Sequence, residues 1–320
     1  MTVAGEPRAP KLRNESRART RPTPSPGLIL FVAVLAMSWA GPLVRFATAP
    51  AVVIAAWRLV LSVAIIGSIL ALRGDALRAA RELAPRDWAL AGLSGLLLAG
   101  HFWTWIASLE LTTVASSVVL VSTQPVFVGA FSAAFLGERP ARRQWLGIII
   151  AVAGAVVIGF GDFGTGRAAL LGDLLAVSGA VLAAGYYVIG RRLRQRLDLW
   201  TYTGIVYGIA AALLVAACLV QADVSLTGHG ARDWLVFTAL ALGPMLLGHT
   251  GVNYALRYVR AYVANLSLLG EPIGATLIAW LLPSIGEVPS AQTVVGGALI
   301  LGGIALGTWR VGPGRGGSTR

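Results

Sequence analysis

The sequence predicts an all-α integral membrane protein whose ten transmembrane helices form two inverted five-helix repeats around a central cavity. Three observations lead to this fold class: an apolar composition, a series of hydrophobic stretches of membrane-spanning length, and an internal repeat. Of the 320 residues, 56% are hydrophobic and 12% are charged, whereas about 25% are charged in a typical soluble domain. Only helices and closed barrels satisfy their backbone hydrogen bonds inside lipid. The apolar runs lack the two-residue alternation of barrel strands, so helices are predicted.

The apolar stretches recur from residue 28 to residue 309. A helix needs about 20 apolar residues to cross roughly 30 Å of hydrocarbon. The predicted helices lie near residues 28–47, 51–72, 88–108, 112–135, 143–161, 169–190, 200–220, 232–254, 261–282 and 291–309. Because ten is an even number, both termini are predicted on the same side of the membrane.

Basic residues are concentrated on that side. The net charge of +12 could point to nucleic acid, but 22 of the 26 lysines and arginines lie with the termini, and only Arg167 and Arg232 lie opposite. Cytoplasmic loops carry such an excess. We therefore predict a multi-pass protein of the cell membrane with no nucleic-acid partner. Residues 1–27 are predicted to be a disordered cytoplasmic tail, and residues 310–320 a second cytoplasmic tail.

The N-terminal region also imitates a signal peptide. An Arg-rich start, an apolar run and Ala47-Thr48-Ala49 resemble a leader with its cleavage site. The internal repeat requires the first helix, so we expect it to be retained.

An internal repeat relates the two halves of the chain. The segment GHFWTWIASL begins at Gly100 and GHTGVNYALR begins at Gly248, and Pro125 and Pro272 follow them at similar distances. The predicted repeats cover residues 28–161 and 169–309. Because each repeat holds five helices, the second enters the membrane from the opposite side. Inverted repeats are found in many secondary transporters, whose substrate site lies near the bilayer midplane.

Several motifs recur in order along the chain. They are SWAGPLVRFA and AAWRLVLS in helices one and two, ASSVVLVSTQPVFVGAFSAAFLGERP and ANLSLLGEPIGATLIAWLL in helices four and nine, and QWLGIIIAVAGAVVIG and TVVGGALILGGIAL in helices five and ten. From about residue 28 to residue 309, the chain resembles the drug/metabolite transporter superfamily, specifically its EamA-type ten-helix members. The resemblance implies a cavity lined by helices one, three, four, six, eight and nine. It also implies transport, commonly export, of amino acids, other metabolites or lipophilic compounds. Gly41-Pro42 departs from relatives, which often have a small polar residue after the glycine.

Glu271 is the clearest candidate functional residue. It lies ten residues into predicted helix nine, directly before Pro272. An ionisable group at that depth costs at least about 2.5 kcal/mol on insertion scales, so we expect it to face the protein interior. We predict that Glu271 lines the cavity and couples transport to protons; a protonated carboxyl that only packs helices is the alternative. Gln124 holds the equivalent place before Pro125 and is predicted either to bind substrate or to tie two helices.

Two further groups of polar residues lie at matching places in the repeats. His101 and Trp105 share a face of helix three, and His249 and Asn253 share a face of helix eight. Imidazole, indole and amide groups suit an aromatic or amphipathic small-molecule substrate. The alternative is that the histidines are neutral and only pack helices together.

Four more residues have open roles. Trp39 and Tyr186, matched across the repeat, are predicted to line the cavity, with interface anchoring or packing as the alternative. Arg45 lies near a helix end and can extend to the interface. Arg58 lies deeper, and a structural partner is favoured over anion binding.

Rival functions are less well supported. Gly92-Leu93-Ser94-Gly95 matches the GxSG string of rhomboid-type proteases, so an intramembrane serine protease using Ser94 and His249 is a remote alternative. There is no HExxH string and no phosphate-binding loop, and neither a metal nor a cofactor is predicted. The closer alternative is an uncoupled facilitator or channel of the same fold, and Glu271 is the residue that would distinguish it.

Overall fold

The computed structural model describes residues 24–74, 83–112, 114–159, 166–281 and 291–308, which form helices and their connections with no strand among them. Residues 1–23 of the predicted N-terminal tail and the whole predicted C-terminal tail lie outside the described residues. The all-helical part of the prediction therefore holds for the described chain.

The first half of the described chain contains seven helices. They are α1 (Pro26–Met37), α2 (Ala40–Arg45), α3 (Ala51–Arg73), α4 (Pro85–Leu111), α5 (Val114–Val121), α6 (Gln124–Phe131) and α7 (Arg142–Gly159). A π-helical segment, Ser132–Leu136, continues α6.

The second half of the described chain also contains seven helices. They are α8 (Arg167–Leu193), α9 (Leu199–Val220), α10 (Ala231–Leu240), α11 (Thr250–Ala255), α12 (Ala261–Leu268), α13 (Glu271–Leu281) and α14 (Ala291–Thr308). A second π-helical segment, Ala241–His249, joins α10 to α11.

Six helical stretches are long and apolar enough to cross a membrane. They are Pro26–Arg45, Ala51–Arg73, Pro85–Leu111, Arg167–Leu193, Leu199–Val220 and Ala231–Ala255. Shorter apolar helices cover Gln124–Leu136 and Val294–Thr308. These lengths make the chain a multi-pass membrane protein, while the total of ten crossings stays a prediction.

Four predicted helices are interrupted or widened in the structure, each just before a proline. A proline cannot donate a hydrogen bond to the carbonyl four residues earlier, and its ring crowds that carbonyl. These carbonyls belong to Ser38, Val121, Leu240 and Leu268. Helix α1 ends one residue before the first of them, and α5, α10 and α12 end at the other three. The sequence prediction treated residues 28–47, 112–135, 232–254 and 261–282 as continuous helices, and the structure corrects this.

The helices α7 and α14 pack along their lengths, with backbone against backbone. A Cβ atom added at Gly154 would lie 2.6 Å from the carbonyl oxygen of Gly296, and one added at Gly303 would lie 2.6 Å from that of Gly147. Such distances are too short for any side chain, so only glycine permits this approach. We call the contact made by these four glycines the glycine seam.

The other helices surround the centre of the bundle. α4 packs along α8, α3 packs along α9, and α1 packs against α11 and the second π-helical segment. On the predicted cytoplasmic side, Arg191 pairs with Glu138 at 2.9 Å and Arg73 pairs with Asp198 at 2.8 Å. These ion pairs join elements far apart in the sequence.

Asp198 is also the N-cap of α9, and its carboxylate accepts hydrogen bonds from the N–H groups of Trp200 and Thr201. Partial burial would raise the pKa of Asp198, but hydrogen bonds from Thr201 and Arg73 outweigh that effect and lower the pKa below its usual value. The carboxylate is thus stabilised in its charged form.

Candidate functional site

A central cavity opens at the level where α5 gives way to α6 and α12 gives way to α13. It contains about 570 Å³ of space free of atoms, its open mouth included. Its polar and aromatic lining includes Arg58, His101, Phe102, Trp105, Gln124, Tyr187, His249, Asn265 and Glu271. The structure therefore brings together five of the residues singled out as cavity-lining: His101, Trp105, Gln124, His249 and Glu271.

Gln124 and Glu271 occupy equivalent places in the two halves. Each is the first residue of a helix, α6 or α13, and each is followed by proline. The first turn of a helix carries unpaired N–H groups and a partial positive charge. The side-chain amide of Gln124 donates to Oδ1 of Asn265 on α12, which ties the two interrupted helices together. The backbone carbonyl of Glu271 accepts a hydrogen bond from the Ser38 hydroxyl at 3.3 Å.

The two histidines lie close together, with ring centroids 6.2 Å apart. His101 Nδ1 lies 2.9 Å from the carbonyl oxygen of Gly179, and because a carbonyl only accepts, this contact places a proton on Nδ1. His249 Nδ1 lies 3.0 Å from the hydroxyl of Tyr187. Each imidazole is thus held in place by a hydrogen bond while it lines the cavity.

Aromatic rings form one wall of the cavity. The indole of Trp105 stacks on His101 with centroids 6.5 Å apart and 12° between the ring planes. Phe102 meets His249 edge-on, with centroids 5.0 Å apart. The indole N–H of Trp105 is buried and has no hydrogen-bond partner among the described residues.

Arg58 is buried, with 1% of its surface exposed. Its guanidinium carbon lies 4.0 Å from the ring centroid of Phe102, and Nη2 lies 4.0 Å from the sulfur of Met245. Nε and Nη1 have no partner in the described part of the chain. The sequence predicts a structural partner for Arg58, and the structure provides a ring face and a thioether in place of a carboxylate.

Three residues predicted to line the cavity lie elsewhere. Trp39 is 40% exposed and lies outside the central cavity beside Leu35 and Leu247, at the break between α1 and α2. Tyr186 and Asn253 are fully buried behind the cavity, where the Asn253 amide donates to the hydroxyl of Tyr186. The neighbouring Tyr187 lines the cavity instead.

The protease alternative requires a serine and a base within hydrogen-bond reach. Ser94 Oγ lies 3.2 Å from the hydroxyl of Tyr202, whereas His249 pairs with Tyr187. The hydrogen bonds of the described residues do not join Ser94 to His249. Nor do the described ranges contain a group of three His, Cys, Asp or Glu residues that could hold a metal ion.

Sequence reasoning missed Asn265 and Tyr187 as cavity residues. Asn265 is a buried polar residue in an apolar helix, six residues before Glu271, and that position was a usable signal. Tyr187 was overlooked because the repeat alignment matched its neighbour Tyr186 to Trp39.

The EamA-like transporter family matches residues 25–160 and 170–309 of the chain. An uncharacterized transporter, YdfC of Bacillus subtilis, is 29% identical over 61% of this chain and 63% of its own length. The pseudopaline exporter CntI of Pseudomonas aeruginosa is 31% identical over 80% of this chain and 85% of its own length. A probable terminal-alkyne amino-acid exporter of Streptantibioticus cattleyicolor is 30% identical over 59% of this chain and 62% of its own length. The chain thus spans less than two thirds of the first and third of these relatives.

A solved crystal structure is similar to this chain with a TM-score of 0.73 and 23% identity. The superposed region covers 88% of this chain and 96% of the chain in the crystal structure. At this identity the similarity shows the fold alone.

Proposed function

Because the chain belongs to the EamA-like transporter family, we propose that it exports a small metabolite, an amino acid or a related amphipathic compound, through the central cavity. The observation that carries this proposal is the cavity itself, where Glu271, two histidines and an aromatic wall meet at two helix breaks. Interrupted helices that meet at the bilayer midplane form the substrate sites of many transporters. The names of the relatives, exporters of pseudopaline and of an amino acid, support the class of substrate and the direction.

The mechanism is alternating access by ten helices in two inverted repeats, residues 28–161 and 169–309. Helix contacts support this: α4 packs on α8, and α1 packs on α11 and the π-helical segment before it. In the repeat, α4 corresponds to α11 with its π-helical segment, and α1 corresponds to α8. If the two halves exchanged their conformations, each of these two contacts would therefore take the form of the other. Two packings of similar energy follow, and substrate biases their populations. The excess of basic residues beside the termini supports an orientation with both termini in the cytoplasm.

Glu271 is the coupling residue in this mechanism. Its carboxyl lies in the cavity, and the equivalent residue in the first half is the neutral Gln124. An amide can hold a substrate by hydrogen bonds, whereas a carboxyl can also exchange a proton. At this pair of equivalent positions the two halves therefore differ by one titratable group.

Efflux from proteoliposomes tests coupling. Labelled amino acids and lipophilic cations are loaded, and efflux is followed with and without an imposed pH gradient. The gradient should accelerate saturable efflux by the wild type, whereas Glu271→Gln should retain substrate exchange and lose the acceleration. Glu110→Gln is the matched control, since Glu110 is exposed at the end of α4 and accepts a hydrogen bond from the Ala51 N–H.

Three results would contradict parts of the proposal. Gradient-driven accumulation by Glu271→Gln would remove Glu271 as the coupling residue. Efflux that responds neither to the gradient nor to the substitution would favour an uncoupled facilitator. No efflux of any compound would count against export of this substrate class.

A further inference from the structure

The central cavity contains a buried cation that forms no ion pair with the described residues. Arg58 stays charged in proteins because its guanidinium does not deprotonate, and a buried charge without hydrogen bonds is costly. Yet Nε and Nη1 of Arg58 have no partner among the described residues, and Nη2 has the long contact to a thioether, a weak acceptor. The ion pairs of the described chain do not join Arg58 to Glu271.

A second unpaired donor lines the same cavity. Trp105 is one of the residues that line the cavity; its indole N–H is buried without a partner, and an indole nitrogen only donates. The other buried polar atoms that lack partners in the described residues belong to Ser132, Glu138 and Asn253, which do not line the cavity. The fully buried side-chain atoms that lack partners and belong to cavity residues are therefore all donors, and a ligand that satisfies them must supply acceptors.

We infer that Arg58 and Trp105 form a binding subsite for a carboxylate of the transported compound. The planar guanidinium presents several donors in a fork that matches a carboxylate, and its central carbon lies 4.0 Å from the ring centroid of Phe102. This inference rests on the proposed transport function and narrows its substrates to compounds with a free carboxylate.

Glu271 limits the charge of that compound. Glu271 lines the same cavity, and in its ionised form it would repel a ligand with several negative charges. A compound with one carboxylate beside an ammonium group satisfies Arg58 and Glu271 together. The subsite therefore selects zwitterionic amino acids over lipophilic cations, which would meet the charge of Arg58.

Binding to the purified full-length protein in detergent tests the subsite. The probes are the twenty standard amino acids, each beside its α-amide and its decarboxylated amine, and thermal stabilisation gives an apparent affinity. At least one acid should stabilise the wild type saturably, and its amide should bind about tenfold more weakly or worse, as expected when a hydrogen bond to a charged group is lost. An amide or amine that binds as well as its acid would overturn the inference, as would stabilisation by no acid.

Substitutions locate the effect. Trp105→Phe keeps a ring that can stack on His101 but removes the N–H, so it should weaken binding of the acid by about tenfold and binding of the amide, a neutral acceptor, by less. Trp88→Phe is the control, because Trp88 is 41% exposed and lies outside the cavity. Arg58→Gln should abolish the preference for acid over amide. Trp105→Phe keeps the test decisive if Arg58→Gln does not fold, and a Trp105→Phe protein that binds the acid like the wild type would remove Trp105 from the subsite.

Efflux measurements with the same probes separate this inference from the proposed function. If liposomes export amides and amines as fast as acids, the protein is a transporter and the carboxylate subsite is wrong. If acids bind with the predicted preference but no probe is exported, the subsite stands and the transport proposal fails.

Discussion

The glycine seam and the central cavity belong to the same bundle but are built in opposite ways. At the seam, α7 and α14 approach until no side chain fits between them. In the cavity, buried donors of Arg58 and Trp105 have no partner in the described chain. Close packing stabilises the fold by itself, whereas an unsatisfied buried donor costs about 1–3 kcal/mol. We infer that the residues of the seam serve stability, whereas the unpaired groups of the cavity are available to a ligand.

The largest expected effect is at the seam. Gly303→Val places a side chain against the backbone of α7, where a Cβ atom alone would lie 2.6 Å from the Gly147 carbonyl oxygen. Overpacking costs about 1–3 kcal/mol, and we expect the upper end because backbone cannot move aside easily. Thermal unfolding in detergent measures the loss. Gly302→Val is the control, since a Cβ at Gly302 has no atom within 4 Å; equal stability of both variants would show that the seam is not tightly packed.

A smaller effect, on selectivity, is expected in the cavity. His101→Ala removes the ring that stacks on Trp105, and an aromatic pair contributes about 0.5–1.5 kcal/mol. We expect the KM for aromatic relative to aliphatic substrates to rise about two- to tenfold in efflux assays. His229→Ala, at a histidine outside the cavity, should leave that ratio unchanged. If His101→Ala reduces folded protein and leaves the ratio intact, the histidine serves packing.

A fully paired polar group should affect stability without affecting transport. Asp198→Ala removes the cap of α9 and the ion pair to Arg73, and the loss of a cap costs about 1 kcal/mol. The pKa of Asp198 is lowered in the folded protein, so its contribution is full above the unfolded pKa of about 3.9 and is lost as pH falls through the folded pKa. The difference in Tm between wild type and variant should therefore be constant at neutral pH and narrow in acid. A difference that grows on acidification would contradict the lowered pKa, and a changed KM at neutral pH would contradict the purely structural role.

The smallest effect is expected at Trp39. Because Trp39 lies outside the central cavity, Trp39→Phe should leave the KM and the acid-to-amide preference unchanged. The same efflux assay, run beside Trp105→Phe, makes the comparison. A loss of affinity in Trp39→Phe would place this residue at the substrate after all.

Much of the helix pattern could be predicted from sequence. The predicted helix at residues 51–72 is observed as Ala51–Arg73, and the one at 200–220 as Leu199–Val220. The length of a hydrophobic stretch and the charges that flank it are local signals, and they predict the bounds of such helices to within a few residues. The family resemblance, which rested on motif order, is confirmed.

The helix breaks and parts of the cavity could not be predicted in this way. Prolines were visible, but whether a proline kinks a helix or ends it depends on the partners of the freed carbonyl. Tyr187 and Tyr186 differ by one position, and only packing decides which faces the cavity. The surroundings of Arg58 could not be predicted either, because its neighbours Phe102 and Met245 come from distant parts of the sequence.

The π-helical segment Ala241–His249 has a consequence for how this region tolerates changes in chain length. A π-helical turn holds more residues than an α-helical turn, so the segment contains surplus length relative to a plain α-helix. Each residue of an α-helix advances the chain by about 100° around its axis. Residues of a π-helix each advance the chain by less than this, because more of them share one turn. If one residue such as Gly243 were deleted and the segment regained α-helical pitch, the larger rotation per residue would offset much of the lost rotation, so Asn253 would stay near Tyr186. The π-helical segment should therefore tolerate a one-residue deletion better than a regular α-helix of the same bundle would.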